Sequence, residues 1–130
     1  MQLNKYCFDT HTLVWYFIKR PTLSTRARQI LNEVFEGKKE GIIPSLVLVE
    51  ALHVSFKVKE FNFGRFLSDI RIQNLTVVPL EKEVLQECYK LSKVLNIHDR
   101  IIVATAIVTG SVLITKDKII RSLKNIRTIW

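Results

Sequence analysis

Lys5-Tyr6-Cys7-Phe8-Asp9-Thr10-His11-Thr12-Leu13-Val14-Trp15 joins two patterns at one acidic residue. Lys5 to Phe8 is a short apolar run suited to a buried strand, and His11 to Ile18 reads as a short helix closed before Pro21. Asp9 stands at the junction. Three other acids sit near comparable boundaries: Glu50 within Leu46-Val47-Leu48-Val49-Glu50-Ala51-Leu52, Asp99 at the start of an apolar helix, and Asp117 after Val112-Leu113-Ile114-Thr115-Lys116. An open parallel sheet gathers its strand ends along one rim, so carboxylates placed there converge although they are far apart in sequence. Such a cluster repels itself unless a cation is present, and it reads first as a divalent-metal site.

Working outward, Ser24 is a plausible N-cap for a helix carrying Ala27, Ile30, Leu31, Val34 and Phe35 at helical spacing, ended by Gly37. Gly41 to Pro44 is a brief apolar segment, and Ser45 opens a helix to about Lys59. Asn62 caps a shorter helix with Phe63, Phe66, Leu67 and Ile70 on one face. Leu75 to Leu80 is the next strand. The following helix, Glu81 to Leu95, is expected to turn Val84, Leu85, Cys88, Leu91, Val94 and Leu95 inward. Asp99 to Thr109 is apolar nearly all round, a buried helix ended by Gly110. Val112 to Thr115 is a strand, Lys118 to Leu123 a helical turn or two, and Ile126 to Ile129 a last strand. Strands alternating with helices predict an α/β fold, a three-layer α/β/α sandwich around a mainly parallel sheet.

The length of 130 residues suits one domain, 1–130, with one substantial core. Cys7 and Cys88 fall in a strand and a helix and read as buried thiols of a cytoplasmic protein, not a disulfide framework. The longest uncharged stretch, Ile101 to Thr115, is too short to span a membrane and contains Gly110. Asp9 and His11 interrupt any signal-peptide core. Twenty Lys and Arg against twelve Asp and Glu give a formal net charge of +8. Setting the four named acids aside leaves a strongly basic remainder, which favours a polyanionic partner such as nucleic acid. A solvated surface explains the same charge, because the basic residues are dispersed. Glycines stand only at 37, 41, 64 and 110, so neither a P-loop nor a dinucleotide-binding fingerprint can be written. The scattered Cys and His show no zinc spacing.

Each acid also has a plain structural explanation. Asp9 suits a helix cap, His98 or Asp99 suits the N-terminus of its helix, and Asp117 suits a turn. Glu50, His53 and Lys57 form a polar stripe that solvent alone would explain. Arg100, Lys116 and Lys118 are the basic residues nearest the expected rim, as contacts to a polyanion or as surface charges. Trp15 and Tyr16 suit base stacking, or packing against a neighbouring helix or subunit. The acids weigh more together than singly.

The chain resembles the PIN-domain ribonucleases, the group that includes the VapC toxins of prokaryotic toxin–antitoxin pairs. Asp9-Thr10-His11-Thr12-Leu13-Val14-Trp15 is close to the DTHxLLW opening of one PIN subgroup. His98-Asp99-Arg100 followed by Ala104-Thr105-Ala106 matches the third acidic motif, and Leu113-Ile114-Thr115-Lys116-Asp117 the fourth. The ending Thr128-Ile129-Trp130 is also typical of that subgroup. The resemblance implies that Asp9, Glu50, Asp99 and Asp117 form an acidic quartet binding one or two Mg²⁺ (or Mn²⁺) ions, with Thr115 the hydroxyl residue beside the last acid. Glu50 matches most loosely, and is the only acid between Glu40 and Glu60. Many relatives carry a further acid where this chain has Ile119, which implies a second ion held weakly or only with substrate phosphate.

The implied activity is metal-dependent endoribonuclease cleavage by in-line attack of activated water, leaving a 5′-phosphate and a 3′-hydroxyl. Asp9 and Asp99 would be the central ligands, Glu50 a direct or water-mediated one, and Asp117 would complete the shell with Thr115 orienting a water or a carboxylate. The implied partners are an RNA substrate, a small antitoxin covering the groove, and a second copy in a homodimer. Two other readings stand beside it. One is a metal-independent ribonuclease using His11, His53 or His98 and yielding a cyclic phosphate. The other is a catalytically silent PIN-like module that binds RNA or protein.

Overall fold

The computed structural model describes residues 5–91 and 93–130. Its five-stranded sheet has the order β3-β2-β1-β4-β5, and every pairing is parallel. The strands are β1 (Lys5–Phe8), β2 (Glu40–Pro44), β3 (Leu75–Val78), β4 (Val112–Ile114) and β5 (Thr128–Ile129). The helices are α1 (Thr10–Phe17), α2 (Thr25–Phe35), α3 (Ser45–Ser55), α4 (Phe63–Asp69), α5 (Lys82–Lys90), α6 (Ile97–Thr109) and α7 (Lys118–Arg121). Helices layered on the sheet complete the α/β/α sandwich expected from sequence. Among the described residues, no helix is long and apolar enough to cross a membrane.

Near-continuous apolar runs mark the central strands because both faces are covered. Cys7, Phe8, Ile43, Leu113 and Ile114 have no exposed surface. Burial holds the Cys7 thiol well above its ordinary range, which keeps it protonated and inert. α6 packs along β1, β2 and β4, and α5 packs on α6. The apolar α6 ends at Gly110, whose φ of 66° lets the Ser111 amide donate to the Ala106 carbonyl at 2.8 Å.

β1 is the middle of the sheet and the point where its order reverses. The chain leaves β1 toward β2 and β3, then returns to place β4 on the other side of β1. Phe8 lies opposite Ile114 in that pairing. The residues that follow, Asp9 and Thr115, therefore emerge side by side at the carboxyl ends of adjacent strands, where a parallel sheet opens a crevice.

Several boundaries differ from the sequence expectation. α5 stops at Lys90, not Leu95, because the chain must reverse between Leu91 and Asn96 for α5 to pack against α6. Leu91 and Leu95 are still buried from that turn, whereas Leu85 and Val94 are 49% and 67% exposed and do not face inward. Helical periodicity continues through a turn that buries some of the same positions. α3 likewise ends at Ser55 before the Phe56 cap, short of Lys59. α6 starts at Ile97, with Asn96 as its cap accepting from the Asp99 amide at 2.9 Å, so neither His98 nor Asp99 caps it. β3, β4 and β5 are each shorter than predicted, since pairing stops where partner strands end.

Gly41 on β2 sits where α2 closes on the sheet. A Cβ there would lie 3.0 Å from Val34 Cγ1, 3.2 Å from Phe8 Cε2 and 3.3 Å from Leu75 Cγ. Gly41→Val should therefore overpack this junction and destabilise the fold by about 1–3 kcal/mol, measured by urea unfolding. Unchanged stability would show that α2 is not seated as closely as described.

Candidate active site

A cleft of about 1140 Å³ opens at the carboxyl ends of β1 and β4, and Asp9, Glu50, Asp99 and Asp117 all line it. The four come from different elements. Asp9 is the N-cap of α1, Glu50 projects from α3, Asp99 lies in the first turn of α6, and Asp117 is the N-cap of α7.

Capping and lining the cleft prove compatible. Asp9 Oδ1 accepts from the Thr12 amide at 3.0 Å and from the Thr12 hydroxyl at 2.5 Å. Asp117 Oδ1 accepts from the Ile120 amide at 2.9 Å. Each cap fixes a carboxylate in orientation while helix and strand fix its place. Thr115 ties the two together: it is fully buried, its hydroxyl hydrogen bonds Asp9, and its Oγ1 accepts from the Asp117 amide at 3.2 Å.

Glu50 is held differently. Thr10 Oγ1 donates to Glu50 Oε1 at 2.5 Å, and His98 Nδ1 lies 2.8 Å from Glu50 Oε2. The polar stripe of Glu50, His53 and Lys57 thus borders the cleft, with Glu50 half-buried and His53 and Lys57 still exposed to solvent. Of the expected basic residues, only Lys116 lines it, with Nζ 5.9 Å from the centre of the Trp15 ring. Arg100 turns away, donating to the Cys88 carbonyl at 2.6 Å, and Lys118 is exposed outside the cleft. Arg20 and Lys57 line the cleft instead. Trp15 also lines it and meets Trp130 edge-on at 6.1 Å, whereas Tyr16 stacks on Phe35 at 5.5 Å and serves packing.

The electrostatics follow from this crowding. Burial pushes the Asp9 carboxyl above its ordinary range, partly offset by hydrogen bonds from Thr115 and Thr12 and by nearby His11. Asp99 is also raised, first by burial, then by repulsion from Asp117, Glu50 and Asp9. That list of repelling neighbours is the rest of the quartet.

An all-carboxylate donor set suits a hard divalent cation. Among the described residues, no three His, Cys, Asp or Glu side chains stand close enough to hold an ion as they are. Mg²⁺ does not require such a cage, since it commonly binds through one or two carboxylates and keeps several waters. The residues present therefore fit Mg²⁺ or Mn²⁺, with Asp9, Asp99, Asp117 and Glu50 as the available oxygens.

The PIN domain family matches residues 6–126. The chain belongs to the PIN domain family. Its backbone is similar to those of a Rickettsia felis VapBC2 complex bound to promoter DNA (TM-score 0.73, 18% identity, 96% of this chain and 97% of that one). A Klebsiella pneumoniae toxin–antitoxin complex gives a TM-score of 0.69 at 21% identity, covering 96% of both chains. DNA-bound VapBC of Salmonella typhimurium gives 0.70 at 19% identity, covering 98% of both. At these identities the likeness is one of fold. No curated protein matches the sequence.

Sequence reasoning missed Thr10 and the cleft cation Arg20 as participants, and took Lys57 only as part of the Glu50 stripe. Thr10 offered one signal, a β-branched hydroxyl directly after the strand-end acid. Arg20 offered none, because its place at the cleft depends on tertiary packing.

Because Asp9 and Asp99 are raised in the fold, the folded chain binds protons more tightly than the unfolded one. Stability of the metal-free protein should then fall as pH rises from the ordinary carboxylate range through the raised values. Asp99→Asn should melt at or above wild type at neutral pH without divalent ions, and should flatten that pH dependence. A clearly lower melting temperature would contradict the crowding.

Proposed function

We propose that this PIN domain is a metal-dependent endoribonuclease, the toxin of a toxin–antitoxin pair. The observation that carries the reading is the convergence of Asp9, Glu50, Asp99 and Asp117 in one cleft, with Asp99 feeling the other three. Outside the quartet the chain is strongly basic, and Arg20, Lys57 and Lys116 stand at the same cleft. A polyanion is drawn to such a surface, and the acids mark where a cation offsets its charge.

Bound there, Mg²⁺ or Mn²⁺ supplies Lewis-acid polarisation of a phosphate and activates water for in-line displacement. The chain's own residues do the rest. Asp9 and Asp99 offer the central oxygens, fixed by the α1 cap and the first turn of α6. Thr115 holds both neighbours through its side chain: its hydroxyl hydrogen bonds the Asp9 carboxylate, and its Oγ1 accepts from the Asp117 amide. Lys116, Arg20 and Lys57 orient the RNA backbone, and Trp15 offers an aromatic edge beside the acids. The products carry a 5′-phosphate and a 3′-hydroxyl.

An antitoxin fits the same cleft. Its walls include Val14, Ile18, Leu46, Val54 and Ile102, an apolar lining that RNA phosphates do not need and a protein segment would cover. The three solved relatives named above were all captured as toxin–antitoxin complexes. Outside the cleft lining, Leu52 on α3 and Phe56 at its C-cap are 38% and 73% exposed, a further apolar face suited to a second copy in a homodimer. The apolar lining equally favours a second reading, a catalytically silent module that binds RNA or protein.

Purified protein should cleave a labelled structured RNA with Mn²⁺ or Mg²⁺, and EDTA should stop it. Asp9→Asn or Asp99→Asn should lower the rate by at least about a hundredfold while leaving the fold intact. Cleavage surviving EDTA, or leaving cyclic phosphate ends, would move the chemistry to the histidines. RNA binding without cleavage would favour the silent module.

A further inference from the structure

Glu50 is the one acid of the quartet that neither caps a helix nor sits in a first turn. It projects from within α3 on a longer side chain, which loses more rotamer freedom on being fixed than an aspartate does. The two side-chain donors already described supply the restraint. A carboxylate only accepts, so the His98 nitrogen facing it, Nδ1, carries the proton.

The origin of the two donors is informative. Thr10 directly follows Asp9 in the chain, and His98 directly precedes Asp99. Each arm of the clamp is thus one peptide unit from another acid of the quartet, so Glu50 is linked to the segments that carry Asp9 and Asp99. Thr10 is 5% exposed, with its place fixed by the first turn of α1, while the Glu50 side chain is 26% exposed and the His98 side chain 57%. Each carboxylate oxygen has two lone-pair directions, so an oxygen that accepts once from the clamp keeps one for the cleft.

We propose that Thr10 and His98 are positioning residues for RNA cleavage, holding the Glu50 carboxylate in fixed relation to Asp9 and Asp99 before metal and RNA bind. The inference rests on the nuclease reading and deepens it. Without the clamp, Glu50 samples other rotamers, and each productive encounter must first order it. The loss therefore falls on metal affinity and kcat, not on RNA binding, for which the cleft cations are unchanged.

The test compares wild type with Thr10→Val, Thr10→Ser, His98→Ala and His98→Asn. Three quantities are measured: Mn²⁺ affinity by calorimetry with the metal alone, kcat and KM on RNA, and melting temperature without metal. Thr10→Val keeps the shape and removes the donor, and Thr10→Ser restores it. His98→Asn places an amide N–H where Nδ1 stood. Thr10→Val and His98→Ala should weaken Mn²⁺ binding and lower kcat, each by roughly ten- to a hundredfold, with KM little changed. Thr10→Ser and His98→Asn should recover most of both. Should Thr10→Val fail to fold, the exposed His98 pair decides the matter.

Wild-type affinity and kcat in Thr10→Val and His98→Ala would overturn the positioning role while the nuclease reading stands. Losses that track melting temperature and are not recovered by the conservative variants would overturn it too, leaving a structural tie. A wild type that neither binds Mn²⁺ nor cleaves RNA would overturn the nuclease reading, and the clamp's role with it.

Discussion

The parallel pairing of β1 with β4, Phe8 beside Ile114, is the contact on which the rest of the structure depends. It joins segments separated by about a hundred residues of chain, a long-range closure whose entropy must be met by burial on both faces of the sheet. Phe8, Leu113 and Ile114 have no exposed surface, so the register between the two strands is strongly specified. Once it is set, Asp9 and Thr115 leave the sheet as neighbours, and the turn to α7 brings Asp117 to the same rim. α6 then lies against β1, β2 and β4 and delivers Asp99 from its first turn.

The site is built from ordinary structural devices used twice. Asp9 and Asp117 satisfy amides at helix starts that have no intrahelical acceptor, and those hydrogen bonds hold the carboxylates in orientation. What distinguishes them from routine caps is company. Burial together with three neighbouring carboxylates raises Asp99, an arrangement that burdens the metal-free fold and that a cation, if bound there, would relieve. Such tension is expected where function and stability compete.

Much of this was legible in the sequence, for identifiable reasons. The apolar runs ending at Phe8, Pro44 and Ile114 gave parallel strands because both faces of the sheet are buried. The strand-end acids were visible for the same reason, Asp9 being the first charge after its apolar run and Asp117 the first acid after its own. Glu50 was marked only by the polar stripe it shares with His53 and Lys57 on an otherwise apolar helix, a pattern that a solvated face leaves equally. The end of α5 was misplaced because Leu91 and Leu95 are buried from a turn that continues helical spacing. Side-chain ties across long separations, Thr10 and His98 to Glu50 above all, had no local pattern. Arg100 was placed at the rim by adjacency to Asp99, yet on a helix consecutive residues point about 100° apart, and its guanidinium reaches α5.

The central claim is that the four carboxylates form a cation site at the ends of β1 and β4. Anomalous diffraction from crystals soaked in Mn²⁺ tests it most directly. A manganese peak is expected in the cleft, at roughly 2.0–2.3 Å from oxygens of Asp9 and Asp99, with Asp117 and Glu50 bound directly or through water. Saturating Mn²⁺ that leaves the cleft without a peak, while the crystals retain their order, would contradict it.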